Sequence, residues 1–257
     1  MRNFLFIILF LLNVSSNSIA ELQLDGTNDY LNLGNTLHYG MPVTQSIWVK
    51  AANFTNFAWI FFTDKGISGN CNSFHSGYWL WFNATQVQAS YGSNTECAAP
   101  SRITAAVTYN FKVNTWYHLT AVYTSSSNIQ VYINGLPQTE SYSGSGGAPA
   151  FTSYPASIGV DCACGGAPTY GSVSVADVAF WDIGLTATEA SVLASSRLNR
   201  MPLQIRPDHL KMYVPLDDYS AGVVPQNGTF KNYGIDTITT TSINEGVSLG
   251  ENNLSYP

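Results

Sequence analysis

Basic residues are scarce in this chain. Only 10 of its 257 residues are Lys or Arg, against 16 Asp and Glu, and charged residues of either sign make up 10%. Nucleic-acid phosphates are bound by a concentrated basic footprint, so a net charge of -6 without a Lys/Arg cluster excludes that partner. The usual catalytic signatures are missing as well. There is no Gly-x-Ser-x-Gly elbow, no His-Glu-x-x-His pair and no phosphate-cradling Gly-rich loop. The four cysteines include no C-x-x-C, which speaks against a structural zinc site. Beyond residue 20 no apolar run is long enough to cross a bilayer, so no membrane span is expected. What is abundant is apolar and aromatic: 45% and 13% of residues, too much for a disordered chain and enough for a sizeable core.

The first twenty residues read as an address. Arg2 gives a positive start, Phe4 to Leu12 is an unbroken apolar run, and Asn13 to Ala20 turns small and polar. This is the order of a secretory signal peptide, with cleavage expected after Ala20. The mature protein is therefore expected to be secreted, extracellular or periplasmic. In such an oxidising compartment Cys71, Cys97, Cys162 and Cys164 are expected to form disulfides.

From residue 21 onward the pattern is almost entirely that of strands. Gly77-Tyr78-Trp79-Leu80-Trp81-Phe82, a turn at Asn83-Ala84-Thr85, and Gln86 to Tyr91 read as a hairpin. A hairpin returns the chain to its starting end, which favours a Cys71–Cys97 pairing. Cys162 and Cys164 then pair with each other, or the four form two cross-loop bridges. Ile129 to Ile133, Asn134-Gly135 and Leu136 to Tyr142 read as a second hairpin, because Asn-Gly suits a type I′ turn with two positive φ angles. Ser143 to Pro149 reads as a Gly/Ser/Pro loop. One helix is expected, opening on the capping box Thr186-Ala187-Thr188-Glu189 and fading near Arg197. Many short strands with turn signals between them predict an all-β, antiparallel β-sandwich with one short C-terminal helix and an extension.

Five segments in order resemble a known family. They are Leu24-Asp25-Gly26-Thr27-Asn28-Asp29-Tyr30-Leu31, Ile47-Trp48-Val49-Lys50, Trp116-Tyr117-His118-Leu119 with Val131-Tyr132-Ile133-Asn134-Gly135, Ala176 to Asp182, and Leu185 to Glu189. Together they look like the laminin G-like domains of concanavalin A-type jelly rolls. The resemblance covers residues 21–200, leaving 201–257 as a C-terminal extension expected to pack on the sandwich. It implies lectin-like modules, adhesion domains or glycan-cleaving enzymes, since this fold hosts all of them. The glycosidases carry Glu-x-Asp-x-x-Glu on one strand, and that run is absent here. Asp177 and Asp182 are read as marking the two ends of one strand. Similar tails in laminin G-like proteins of phage and environmental bacteria leave a structural or adhesive, virion-associated role as an alternative. Relatives often bind calcium at a loop rim; the matching positions fall near His75-Ser76 and Thr152-Ser153, without a carboxylate. Asp64 and Asp161 are the substitutes the sequence offers.

Recognition is thus the expected chemistry. Aromatic rings stack on the C–H faces of sugars while amides and carboxylates bond the hydroxyls. Ala58, Ile60 and Phe62 alternate with Trp59 and Phe61, and Tyr78, Leu80 and Phe82 with Trp79 and Trp81. One face fills the core and the other presents rings outward. Trp59, Trp79 and Trp81, with Asp64 and His75 from the adjoining polar loop, are the candidate binding residues for a glycan, a glycosylated surface or a protein surface. Trp79 and Trp81 are expected to respond differently to truncation, one packing inward and one facing the ligand. His118, in a strand beside Trp116, is read as structural; His38 and His209 are read as isolated.

Overall fold

The computed structural model describes residues 21–34, 37–55, 58–64, 76–93, 102–162, 168–195, 200–216, 228–237, 240–243 and 248–249. The remaining residues, which include the first twenty, Cys71, His75, Cys97 and Cys164, lie outside the description. Strands in chain order are β1 (Leu22–Asp25), β2 (Tyr30–Asn32), β3 (Val43–Ala51), β4 (Ala58–Phe62), β5 (Ser76–Phe82), β6 (Gln86–Ser93) and β7 (Arg102–Thr108). Then come β8 (Tyr117–Ser125), β9 (Asn128–Ile133), β10 (Leu136–Pro137), β11 (Ser141–Ser145), β12 (Ser157–Ile158), β13 (Val160–Cys162), β14 (Pro168–Tyr170) and β15 (Ser172–Trp181). Helix α1 (Ala187–Ala194) precedes β16 (Leu210–Val214), β17 (Thr229–Phe230), β18 (Thr240–Ile243) and β19 (Ser248–Leu249).

Two antiparallel sheets form the sandwich. One runs β10-β9-β8-β3-β15-β1-β19, with β16 also on β15; the other runs β11-β7-β6-β5-β4-β12-β2-β18-β17. Strand alternation sends Leu22, Leu24, Ile47, Val49, Leu119, Ala121, Val131 and Ile133 inward from the first sheet. Tyr78, Leu80, Phe82, Val87, Ala89, Tyr91, Ala105 and Val107 meet them from the second. At about 1.5–3 kcal/mol per fully buried large apolar side chain, this shared layer is the main stabilising term.

The interior also contains a polar tie between the sheets. Tyr123 on β8 places its hydroxyl 2.9 Å from Gln45 Oε1 and 3.1 Å from the Trp79 carbonyl oxygen, sharing its proton between β3 and β5. Tyr78 packs on Tyr123 at 4.8 Å and donates to the Tyr39 carbonyl at 2.9 Å.

The β9–β10 turn is the expected one. Asn134 and Gly135 have φ of 50° and 76°, and Leu136 pairs with Ile133. The returning strand is shorter than the sequence suggests. It stops at Pro137: Gln138 still donates to the Val131 carbonyl at 3.0 Å, but the Val131 N–H turns to the Glu140 carboxylate. Ser141–Ser145, expected partly as loop, instead forms β11 and pairs with β7 in the other sheet. Tyr142 holds this crossing, because its hydroxyl donates to the Ile129 carbonyl and accepts from the Ile129 N–H.

Asp177 does not end a strand. It sits inside β15 at φ 48°, the extra residue of a bulge, so that Val175 and Val178 both point inward. The Tyr213 hydroxyl donates to its carboxylate at 2.7 Å. Beyond the bulge β15 exchanges one neighbour for another: β1 pairs with residues 172–175, β16 with residues 178–181. Strands after residue 200 therefore pair within both sheets, since β18 borders β2 and β19 borders β1.

Helix α1 begins as read, with Thr186 Oγ1 accepting the Glu189 N–H and the Glu189 carboxylate accepting the Thr186 N–H. Ala190 packs on Val122 and Tyr132, and Leu193 on Trp181, Leu185 and Tyr213, so the helix covers part of the first sheet's outer face. Replacing Tyr123 by Phe is expected to lower stability by about 1–3 kcal/mol in urea unfolding, because Gln45 Oε1 is left buried and unpaired.

Candidate functional site

On β4 the simple alternation fails. Trp59 pairs with Trp81, but Phe61 pairs with Leu80 and Phe62 with Trp79, so one residue is extra between 59 and 61. Ile60 and Phe61 both enter the core, and Phe62 joins Trp59 on the outer face. Trp79 and Trp81, two residues apart on β5, share that face. The four rings form one cluster, with Trp59 centred 5.8 Å from Trp81 and 5.9 Å from Phe62. The expectation that Trp79 and Trp81 point opposite ways is therefore wrong: residues i and i+2 of a strand face together. Both are largely covered, with 6% and 9% exposure; Trp59 is half-buried, and its indole N–H donates to Thr169 Oγ1 at 2.8 Å.

Two cross-strand rows extend from the cluster over the second sheet's outer face. One runs Trp59–Trp81–Gln88–Ala106–Ser141 and the other Phe62–Trp79–Ser90–Thr104–Ser143. Each passes from aromatic to amide or hydroxyl, and neither contains a carboxylate. Gln88 donates to Gln86 Oε1 at 3.2 Å, and the Ser90 and Thr104 hydroxyls lie 2.9 Å apart. Gln86, Gln88, Ser90 and Thr104 escaped the sequence reading. Polar residues at alternate strand positions look like any solvated face, and only the register aligns Gln88 with Trp81 and Ser90 with Trp79.

Asp64 belongs to different surroundings. It is 1% exposed, and its two carboxyl oxygens accept from the Thr152 N–H and hydroxyl, stapling the end of β4 to the 150s segment. His38, stacked on Phe151 at 5.0 Å, brings Nε2 to 3.8 Å from Asp64 Oδ1, so it is not isolated. Gly77 is required here: at φ 66°, a Cβ would lie 2.7 Å from Asp64 Cβ. Asp161 is buried on β13. Asp64 faces protein donors instead of solvent. Among the described residues no three acidic, His or Cys side chains converge, whereas calcium takes 6–8 oxygens. Asp64, whose two oxygens are taken by Thr152, does not fit that ion.

Burial perturbs His118 and Asp29 in opposite directions. His118 is buried against Trp48 with Ser46 Oγ 2.9 Å from its Nε2, and burial pushes its pKa down to about 3. Asp29 sits beside Asp25 behind the β1–β2 turn, and burial raises its pKa to about 6. His209 is held at 2.9 Å by Asp182, which also pairs with Lys211.

The fold and these rows define a lectin-like β-sandwich. Residues 25–191 match the family model of the concanavalin A-like lectin/glucanase superfamily, laminin G type, and the chain belongs to that superfamily. It is similar in structure to a protein of Bacteroides ovatus proposed to bind carbohydrate. That match has a TM-score of 0.60 at 16% identity and covers 93% of this chain and 62% of that one. It therefore spans about three-fifths of that protein's length. It is also similar to the heptameric SAP-like pentraxin of Limulus polyphemus, with a TM-score of 0.51 at 16% identity, covering 92% and 96%. No curated protein matches the sequence.

Trp79→Ala and Trp81→Ala are both expected to cost about 3–5 kcal/mol in denaturant unfolding, since both rings are packed. The pH dependence should reveal opposing terms. The neutral, buried His118 makes stability rise with pH between about 3 and 6.5. The raised Asp29 makes stability fall as pH rises from about 4 to 6. Relative to wild type, Asp29→Asn should steepen the gain in melting temperature between pH 4 and 6, and His118→Gln should reverse its direction.

Proposed function

We propose that this protein is a non-catalytic, exported module that binds a glycan or glycosylated surface on the outer face of the sheet containing β4 to β7. The observation that carries the reading is the row that steps from the indoles of Trp59 and Trp81 to the Gln88 amide; in the second row Ser90 and Thr104 are buried against each other. Trp59 supplies a half-exposed ring for the C–H face of a sugar, while Gln86 and Gln88 supply donors and acceptors for its hydroxyls. Glycan cleavage would need two carboxyl groups about 5–9.5 Å apart across the bond, and these rows contain none. The carbohydrate-binding description of the Bacteroides ovatus protein supports the same reading.

Export and the cysteine framework belong to the proposal. Ser76 pairs with Ser93, so the segments that contain Cys71 and Cys97 leave the β5–β6 hairpin at one end, in keeping with a bridge between them. Protein recovered from the medium or periplasm should begin at Glu21, and alkylation without reduction should leave Cys71 and Cys97 unmodified.

On a glycan array at neutral pH, with and without chelator, at least one glycan class should bind. Trp59→Ala and Gln88→Ala should each weaken that binding tenfold or more while shifting the melting temperature only slightly. Binding to no glycan under either condition defeats the reading, and unchanged binding by both variants moves the site elsewhere.

A further inference from the structure

The opposite sheet carries a groove that the aromatic face does not explain. It has a volume of about 170 Å³ and is lined by Gln23, Leu24, Asp25, Ala52, Ser172, Val173 and Ser174. Four of these seven are polar, and the register makes them two cross-strand pairs, Gln23 with Ser174 and Asp25 with Ser172. Leu22, Leu24, Val173 and Val175 alternate with them into the core, so the polar four share the outer face.

Three observations point to a ligand. Ser174 is only 4% exposed and lies at the groove floor, yet neither its hydroxyl nor that of Ser172 hydrogen-bonds to another described residue. Neither Oγ is sealed off inside the protein, and Ser172 is half-buried, so both hydroxyls can meet a group from outside. Gln23 is fixed in orientation, since its amide donates to Glu21 Oε1 at 3.3 Å. Glu21 is in turn gripped by Lys50 at 2.8 and 3.0 Å, and Lys50 lies 5.1 Å over the Trp116 ring. Asp25 is exposed at the groove's end, and its Oδ1 accepts the Thr27 N–H, which holds the carboxylate in place.

We propose that this groove is a second saccharide subsite, taking a single neutral sugar ring. The chemistry selects it. One carboxylate accepts from adjacent hydroxyls, while two serine hydroxyls and an amide can each donate or accept. The lone formal charge in the lining is negative, so phosphate and sulfate are repelled. The volume is below the roughly 300–1,000 Å³ of pockets for larger ligands, which limits the site to one ring or a chain end. The subsite lies on a different sheet from the Trp59 face and does not depend on it.

The test is a titration of the ¹⁵N-labelled mature protein, in EDTA, with methyl α-D-mannopyranoside, methyl β-D-galactopyranoside and N-acetyl-D-glucosamine. At least one should shift the amide resonances of Gln23, Asp25, Ser172 and Ser174 saturably, with Kd of about 1–10 mM, the range expected of a few hydrogen bonds. Ser174→Val, which removes the hydroxyl and fills the floor, should abolish those shifts in a protein whose spectrum is otherwise unchanged. Asp25→Asn, which keeps the acceptor for Thr27, should weaken them at least fivefold; Gln88→Ala should leave them intact. Absence of saturable shifts with all three sugars, or shifts that survive Ser174→Val, overturns the subsite. Shifts at these amides with calcium chloride in EDTA-free buffer, and none with sugar, would make it a cation site instead. Loss of glycan-array binding by Gln88→Ala with these shifts intact separates the two faces, so either can fail alone.

Discussion

A strand that borders a core must send every second side chain inward, and two strands here meet that demand only by carrying one residue too many. In β4 the extra residue falls between Trp59 and Phe61, and in β15 it is Asp177. The first insertion returns Phe62 to the outer face beside Trp59 and completes the ring cluster. The second lets Val175 and Val178 both fill the core and aims the Asp177 carboxylate at Tyr213 on β16. Without these bulges a perfect period of two would bury Phe62 and expose Phe61, and would shift the register of β15 against β3 by one residue. Such a slip moves a whole face from core to solvent.

The same logic explains why the aromatic surface is more closed than open. Indoles side by side on one face bury each other, so Trp79 and Trp81 act chiefly as the floor that positions Trp59. The polar rows beyond them are ordered by backbone pairing and not by bulk. On the opposite sheet, α1 and the Trp48–Trp116 pair cover much of the outer face, while the β1–β15 pairs leave a polar recess. The two faces thus differ in chemistry, one ring-lined and one lined by hydroxyls, an amide and a single carboxylate.

What could be read from sequence was what is local. Asn134-Gly135 needs only its own φ angles, the Thr186–Glu189 box spans three residues, and the β5–β6 hairpin closes over a short turn. The sandwich itself followed from strand alternation and from five segments in family order. What was not legible depends on partners far along the chain. The phase of Phe61 and Phe62 is set by pairing with β5, and the crossing after Pro137 is set by Tyr142 meeting Ile129. Asp64 looked like a ligand because an acid in a polar loop usually faces water; Thr152, 88 residues away, takes both its oxygens. The rows through Gln88 and Ser90 had no signal beyond polarity at alternate positions.

Strands β1 and β2 have consequences for the order of events in folding. Neither pairs with a neighbour in sequence: β1 waits for β15 and β19, and β2 for β12 and β18. Loop closure over such spans is slow and must precede any gain from the contacts it makes. The N-terminal strands therefore remain without partners until most of the chain has emerged, and the sandwich closes last where it was synthesised first.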